Sequence, residues 1–302
     1  MVKSNGDPLE TYTNYPKLLT GGYSISGNAY TDDNEATPIT SGTVRVAVNT
    51  TLSPQTGTLG SGGAFTISGV NWSAGNTLTI FLDNITNTYG TVVTIGAAAN
   101  IYNLKIYQNH IIVRHEQGSS ISIADMDKYD NAQDSDIKFT ATTGTPNTLN
   151  IYDATYLQEL FIPSVYNFAP NGNVTTQNID IRGTFTASGT ESHQCSSNWY
   201  NSGAFISASS TVTITATTTG KTITTGGTSN PFWNLTFNGS GGGWTFASGN
   251  HDVNNNFTIT AGSVTSTSGI LYVGGNWSKS GTFNHGSGTV AFDGTATSTF
   301  SG

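Results

Sequence analysis

Val253-Asn254-Asn255-Asn256-Phe257-Thr258-Ile259-Thr260-Ala261-Gly262 is answered further on by Val273-Gly274-Gly275-Asn276-Trp277-Ser278-Lys279-Ser280-Gly281. Valine, asparagine and an aromatic residue recur at one offset (273 − 253 = 20), and the Ala261-Gly262 turn is echoed one residue out of step by Ser280-Gly281. Throughout residues 233–302 the apolar side chains alternate, as in Trp233/Leu235/Phe237, Trp244/Phe246, Leu271/Val273 and Val290/Phe292, with Gly, Ser, Thr and Asn between. Alternation marks half-buried strands and the fillers mark turns. A larger copy lies upstream, where Asn198-Trp199, Phe205 and Thr211-Val212 match Asn276-Trp277, Phe283 and Thr289-Val290 (277 − 199 = 78). A strand-and-turn unit of about 20 residues cannot bury its own apolar face and must stack on its neighbours. The expected fold is all-β, with a β-solenoid of the parallel β-helix kind over residues 172–302.

Composition agrees with exposed strand walls. Charged residues are only 9% of the 302, while Thr and Ser together exceed a quarter, so solubility rests on hydroxyls. The hydrophobic fraction of 35% is periodic, which argues against long disorder. A net charge of −8 with ten scattered Lys and Arg offers no stripe for phosphate neutralisation, and nucleic acid is not an expected partner. Cys195 is the single cysteine, which excludes an internal disulfide or a thiolate metal cage. No apolar run approaches the length of a membrane span, and the first residues contain no apolar signal core. The poverty in Lys and Glu still suits an extracellular protein, so the chain reads as a mature piece or fragment of an exported one.

Residues 1–20 lack periodicity and read as an arm or linker. In residues 21–97, Val44/Val46/Val48, Phe65/Ile67 and Leu78/Ile80/Leu82 alternate with polar residues between turns at Asp32-Asp33-Asn34 and Ala74-Gly75-Asn76, as in a β-sandwich. The order Ile25-Ser26-Gly27, Tyr30-Thr31-Asp32, Pro38-Ile39, Thr43-Val44-Arg45-Val46 and Gly63-Ala64-Phe65-Thr66-Ile67-Ser68-Gly69-Val70 resembles the immunoglobulin-like and prealbumin-like modules strung along bacterial surface proteins. That resemblance implies a spacer. Residues 98–171 read as a transition holding one short helix near 122–130. Within them, Tyr107-Gln108-Asn109-His110-Ile111-Ile112-Val113-Arg114-His115-Glu116, together with Asp134-Ser135-Asp136-Ile137 and Phe168-Ala169-Pro170-Asn171-Gly172, is similar to a segment of very large repetitive bacterial surface proteins. Its expected role is to cap the solenoid's N-terminal end, since an open end exposes apolar surface and free strand edges.

The densest polar feature is the acidic loop of residues 125–136. Asp125, Asp127, Asp130, Asp134 and Asp136 could offer oxygens to a hard cation such as calcium. The loop is not an EF-hand, because Asp130 stands where glycine is needed and Asp136 where a bidentate glutamate is usual. The alternative is a solvated loop that caps the helix. In the coils the acids Asp180, Glu191, Asp252 and Asp293 do not recur at one coil spacing, so no carboxylate-lined groove is expected and no catalytic residue is assigned. Trp199, Trp233, Trp244 and Trp277 fall at the apolar phase and are expected in the core. An exposed pair among Tyr129, Tyr152, Tyr156 and Tyr200 would be the natural glycan contact.

The expected function is therefore a non-enzymatic structural or adhesive segment of a large exported surface protein. No cofactor is expected other than calcium at the acidic loop. Its expected contacts are with itself or neighbouring repeats through the C-terminal solenoid end, and no membrane insertion is expected. The alternatives are a glycan-binding adhesin and a polysaccharide-degrading β-helix enzyme.

Overall fold

The computed structural model describes residues 21–118, 120–295 and 297–302. The expected arm at 1–20 lies outside the described residues. Apart from a four-residue helix, Ile123–Met126, and one 3-10 turn, Ser61–Gly63, the regular structure is strand. The fold is all-β with a parallel β-solenoid.

Each coil of the solenoid has three sides, and strands stack along the axis as three parallel ladders. The first ladder runs through Asn147–Ile151, Gly172–Thr176, Ser192–Cys195 and Thr211–Ile214, continues into Asn234–Phe246 and Phe257–Thr265, and reaches Trp277–Lys279 and Phe300–Ser301. The second runs through His110–His115, Glu159–Ile162, Asn178–Ile181, Trp199–Asn201 and Lys221–Thr224 to the far halves of the same two long strands and to Thr282–Asn284. On the third side Asn167–Phe168, Thr184–Thr186 and Ala204–Ile206 stack on one another, and His251–Val253, Ile270–Val273 and Thr289–Phe292 do the same, with Phe232 bridging to Val253.

The alternating residues point inward as their period requires. Val212, Ile214, Leu235, Phe237, Phe257 and Ile259 are all buried. The twenty-residue offset is one coil: Val253 pairs with Val273, Phe257 pairs with Trp277, and the two rings stack 4.6 Å apart at 14°. Asparagines stack with the strands, the Asn256 side chain accepting from the Asn276 N–H at 3.0 Å. At the neighbouring corner Gly262 adopts a φ of +88°, and a Cβ on Gly281 would lie 2.6 Å from the Gly262 carbonyl oxygen. Only glycine suits both the left-handed turn and the close approach.

The larger sequence copy is placed differently. Trp199 lies on the second ladder and Trp277 on the first, so the 78-residue match (277 − 199 = 78) is rotated by one side of the coil. The repeating unit is a side, a short strand with its corner. Trp233 also departs from expectation, because the chain turns a corner at 232–234 and the alternation restarts. Phe232 takes the inward place and Trp233 is left half-buried.

In residues 21–118 two sheets enclose a second core. One is Ala64–Val70, Tyr23–Tyr30 and Ile101–Tyr107, the last beyond the expected boundary at 97 and parallel to Tyr23–Tyr30. The other is Thr51–Thr58, Thr43–Val48, Thr77–Asp83 and Thr91–Ile95, all antiparallel. Thr91–Ile95 then pairs in parallel with His110–His115, the opening strand of the second solenoid ladder. One sheet thus serves both cores. Val92, Ile112 and Phe161 face the N-terminal core, while Val93, Ile111, Val113 and Leu160 face the solenoid core.

The solenoid's first coil is covered by residues 121–142. Ile121, Ile123, Met126, Tyr129, Ile137 and Phe139 join its core, and Phe139–Thr142 pairs antiparallel with Asn147–Ile151. At the other end Trp277, Phe283 and Val290 are half-buried, and Phe292 and Phe300 are exposed.

Trp199 packs against Phe205 and Phe232 with ring centroids 5.1 and 5.2 Å away, whereas Tyr200, its neighbour on the same strand, points outward. Replacing Trp199 by alanine is expected to cost about 3–5 kcal/mol, and Tyr200→Ala to stay within about 0.5 kcal/mol. Chemical denaturation midpoints check this; equal midpoints for the two variants contradict the inward and outward assignment.

Candidate functional site

Among the described residues, two gatherings of charged side chains lie at the N-terminal end of the solenoid. The first is the acidic loop. Ser122 and Asp125 form a capping box on the short helix, and Asp125 also accepts from Lys128 Nζ at 3.1 Å and Thr77 Oγ1 at 3.2 Å. Asp127 accepts from the Thr143 hydroxyl at 2.8 Å. Asp130 is buried and accepts from the backbone N–H groups of Ala132 at 2.8 Å and Ala141 at 2.7 Å, which folds the loop onto the capping strand. These three carboxylates are turned to their own loop and its neighbours. Asp134 and Asp136 come together instead, joined by Asp83 from the end of the strand Thr77–Asp83, with one oxygen of each within 4.8 Å of the others. Burial raises the Asp134 pKa, and the charges of Asp136 and Asp83 add to it.

The second place is a groove of about 320 Å³ where the N-terminal sheet of Ile101–Tyr107 meets the outer wall of the solenoid. Its lining includes Lys105, Arg114 and Arg182, three of the chain's ten Lys and Arg, together with Tyr107, Phe161 and Tyr166. Arg182 sits over the Phe161 ring at 4.8 Å and bridges Asp180 to Asp33, its Nε donating to Asp180 at 2.9 Å. Lys105 Nζ pairs with Glu35 at 2.7 Å, and the Tyr107 hydroxyl donates to the same carboxylate at 3.0 Å. Arg114 pairs with Glu116 at 2.8 Å and lies over Tyr166. Burial raises the pKa of Asp180, with Arg182 opposing it, and one Asp180 oxygen is buried with no hydrogen-bond partner.

Sequence inspection finds none of this groove, because its residues come from four separated segments. It also misses the meeting of Asp252 with Asp293 beside Tyr272 on the third side, where burial and then Asp293 raise the Asp252 pKa. Among the aromatic residues, Trp199 and Trp244 are in the core, Tyr129 is buried, Tyr156 is half-buried, and Tyr152 and Tyr200 are exposed at 58% and 42%. Cys195 is buried, which pushes its thiol up to about 12 and leaves it without thiolate reactivity at neutral pH.

No family model, curated protein or solved structure matches the chain.

His110 joins the groove to the shared sheet. Its Nδ1 is 2.6 Å from the Gln108 carbonyl oxygen and its Nε2 is 3.0 Å from Glu159 Oε1, so both ring nitrogens face acceptors, an arrangement that favours the imidazolium form. Burial opposes that charge, but Glu159 and Gln108 outweigh it and the pKa is raised. The stabilisation from a raised histidine is complete below its ordinary value of about 6.5 and is lost as pH rises through the folded value. His251 behaves oppositely. It donates to the Ala247 carbonyl at 2.8 Å, burial lowers its pKa, and its contribution is lost as pH falls below the ordinary value. As pH rises above about 6.5, melting temperature is therefore expected to fall by more in the parent than in His110→Gln. Parallel profiles for the two proteins contradict the upward shift at His110.

Proposed function

We propose that the chain is a non-enzymatic structural and adhesive segment of a large exported bacterial surface protein, with residues 21–118 acting as an immunoglobulin-like or prealbumin-like module welded onto a solenoid rod. The observation that carries this reading is the contrast between the rod's walls and its C-terminal end. The walls carry outward Thr, Ser and Asn between buried apolar positions, as in Thr211–Ile214 and Phe257–Thr265. At the end, Trp277, Val290, Phe292 and Phe300 line an open concavity of about 410 Å³. An apolar layer beside unpaired strand edges is complementary to another coil of its own kind. The reading assigns that place to a further repeat or to a second copy, which extends the rod end to end at the cell surface.

Sedimentation of the 302-residue chain over a range of concentrations tests this. The expected result is concentration-dependent association that Phe300→Asp, at an exposed position, weakens at least tenfold. A strict monomer at high concentration overturns the end-to-end part of the reading.

The junction groove favours glycan recognition as the adhesive activity. Paired carboxylates and guanidinium groups beside aromatic rings supply the fixed hydrogen bonds and apolar faces that a sugar ring needs. Binding of oligosaccharides on a glycan array is expected, with loss of signal in Arg182→Ala. Retention of the full signal in that variant would place recognition elsewhere.

A further inference from the structure

We propose that the junction groove recognises an acidic sugar, a saccharide unit that carries a carboxylate. The proposal rests on the reading of the groove as a glycan site and names the class of glycan it takes. It starts from the hydrogen bonds that the lining has left to make. No side chain lining the groove is Asp or Glu, and those of Lys105, Arg114 and Arg182 can only donate. Asn103, Tyr107, Ser164 and Tyr166 can both donate and accept, so no side chain of the lining only accepts. Hydroxyl groups that must donate are poorly matched there. A carboxylate, which only accepts, meets three donors.

These donors are fixed in place and still open. Arg182 commits its Nε to Asp180 at 2.9 Å and its Nη2 to Asp180 and Asp33. Arg114 commits its Nη2 to Glu116 at 3.1 Å. In both guanidinium groups Nη1 makes no hydrogen bond among the described residues, and neither Nη1 is buried. Lys105 gives a proton to Glu35 at 2.7 Å, and an ammonium group has three. Its side chain is 32% exposed. Stacking sets the guanidinium planes, Arg182 at 4.8 Å from the Phe161 centroid and Arg114 at 5.3 Å from that of Tyr166. Side chains held this way lose little rotamer freedom when a ligand arrives. Pro163 and Tyr166 add apolar surface for the C–H face of a sugar ring. The volume of about 320 Å³ is at the small end of the roughly 300–1,000 Å³ of ligand pockets, which suits one or two sugar units.

Net charge does not select the ligand. Asp33, Glu35, Glu116 and Asp180 outnumber the three cations they hold, and the whole chain carries −8, so a polyanion gains nothing from the long-range field. What remains is directed donation at close range, where a charge-assisted bond to a carboxylate is roughly twice as strong as a neutral one. One carboxylate on an otherwise uncharged sugar unit fits that balance. A heavily sulfated chain does not.

A glycan array probed with the full chain tests the proposal. Oligosaccharides ending in a uronic or sialic acid are printed beside their methyl esters, with neutral and sulfated oligosaccharides on the same slide. Esterification removes the charge and keeps the sugar. The expected result is binding to the acids that falls at least tenfold on the esters, about the effect of one charge-assisted hydrogen bond. Arg114→Gln should abolish most of that preference, whereas Tyr152→Ala, at an exposed position outside the groove, should leave it unchanged. Should Arg114→Gln fail to fold, Lys105→Gln at a partly exposed position decides the same question. Equal binding of acids and esters, or stronger binding of the sulfated chains, overturns the proposal and leaves the glycan reading standing. So does an acid preference that survives in Arg114→Gln and Lys105→Gln or is lost in Tyr152→Ala. Binding to no sugar on the slide overturns both.

Discussion

The direction of the backbone hydrogen bonds governs this molecule. In every coil the strands lie across the axis and their N–H and C=O groups point along it, so a coil satisfies its own polar backbone only through the coils above and below. Inward apolar residues follow from that stacking, as do the asparagine and glycine corners. The same requirement reaches the N-terminal region. There the antiparallel sheet passes its free edge, Thr91–Ile95, directly to His110–His115, and the ladder continues without a break into the rod.

Such continuity changes what a junction between two regions means. Where modules are joined by a linker their relative motion is the default expectation. Here the strand Glu159–Ile162 buries Phe161 in one core and Leu160 in the other, and Thr77–Asp83 is buried along its whole length. The charged groove forms where this shared sheet emerges, with Arg182 reaching Asp33 across 149 positions of sequence. Its geometry is set by packing on both sides, and the groove needs no loop closure to assemble.

Much of the rod is legible in the sequence because its information is local and periodic. Val253/Val273 and Phe257/Trp277 announce their register directly, and the short helix at 123–126 is marked by Ser122 and Asp125. The 78-residue match (277 − 199 = 78) is read correctly as repetition, but it cannot say on which side of a coil it falls, since each side uses the same strand-and-corner chemistry. Trp233 misleads for a related reason: alternation restarts at a corner, and a corner carries no apolar signature. The sites are less legible still. Asp134 and Asp136 stand out by density, yet Asp83, some fifty positions earlier, carries nothing local to mark it (134 − 83 = 51). Asp33, Lys105, Glu159 and Arg182 look like scattered single charges until the shared sheet gathers them.

The third side of the rod shows what a coil can carry. From Phe185 to Phe205 the chain takes 20 residues (205 − 185 = 20), and from Phe205 to Phe232 it takes 27 (232 − 205 = 27), yet the ring centroids are 5.5 and 5.8 Å apart. The additional residues leave at the corner around Gly226 and Gly227, and the Asn230 side chain stitches them back to the Phe205 N–H at 2.9 Å. Axial rise is set by the ladder and is indifferent to contour length. Corners can therefore lengthen, diversify or accept foreign peptide while the rod keeps its pitch, which makes the scaffold a display rail whose outward loops are free to change independently of its core.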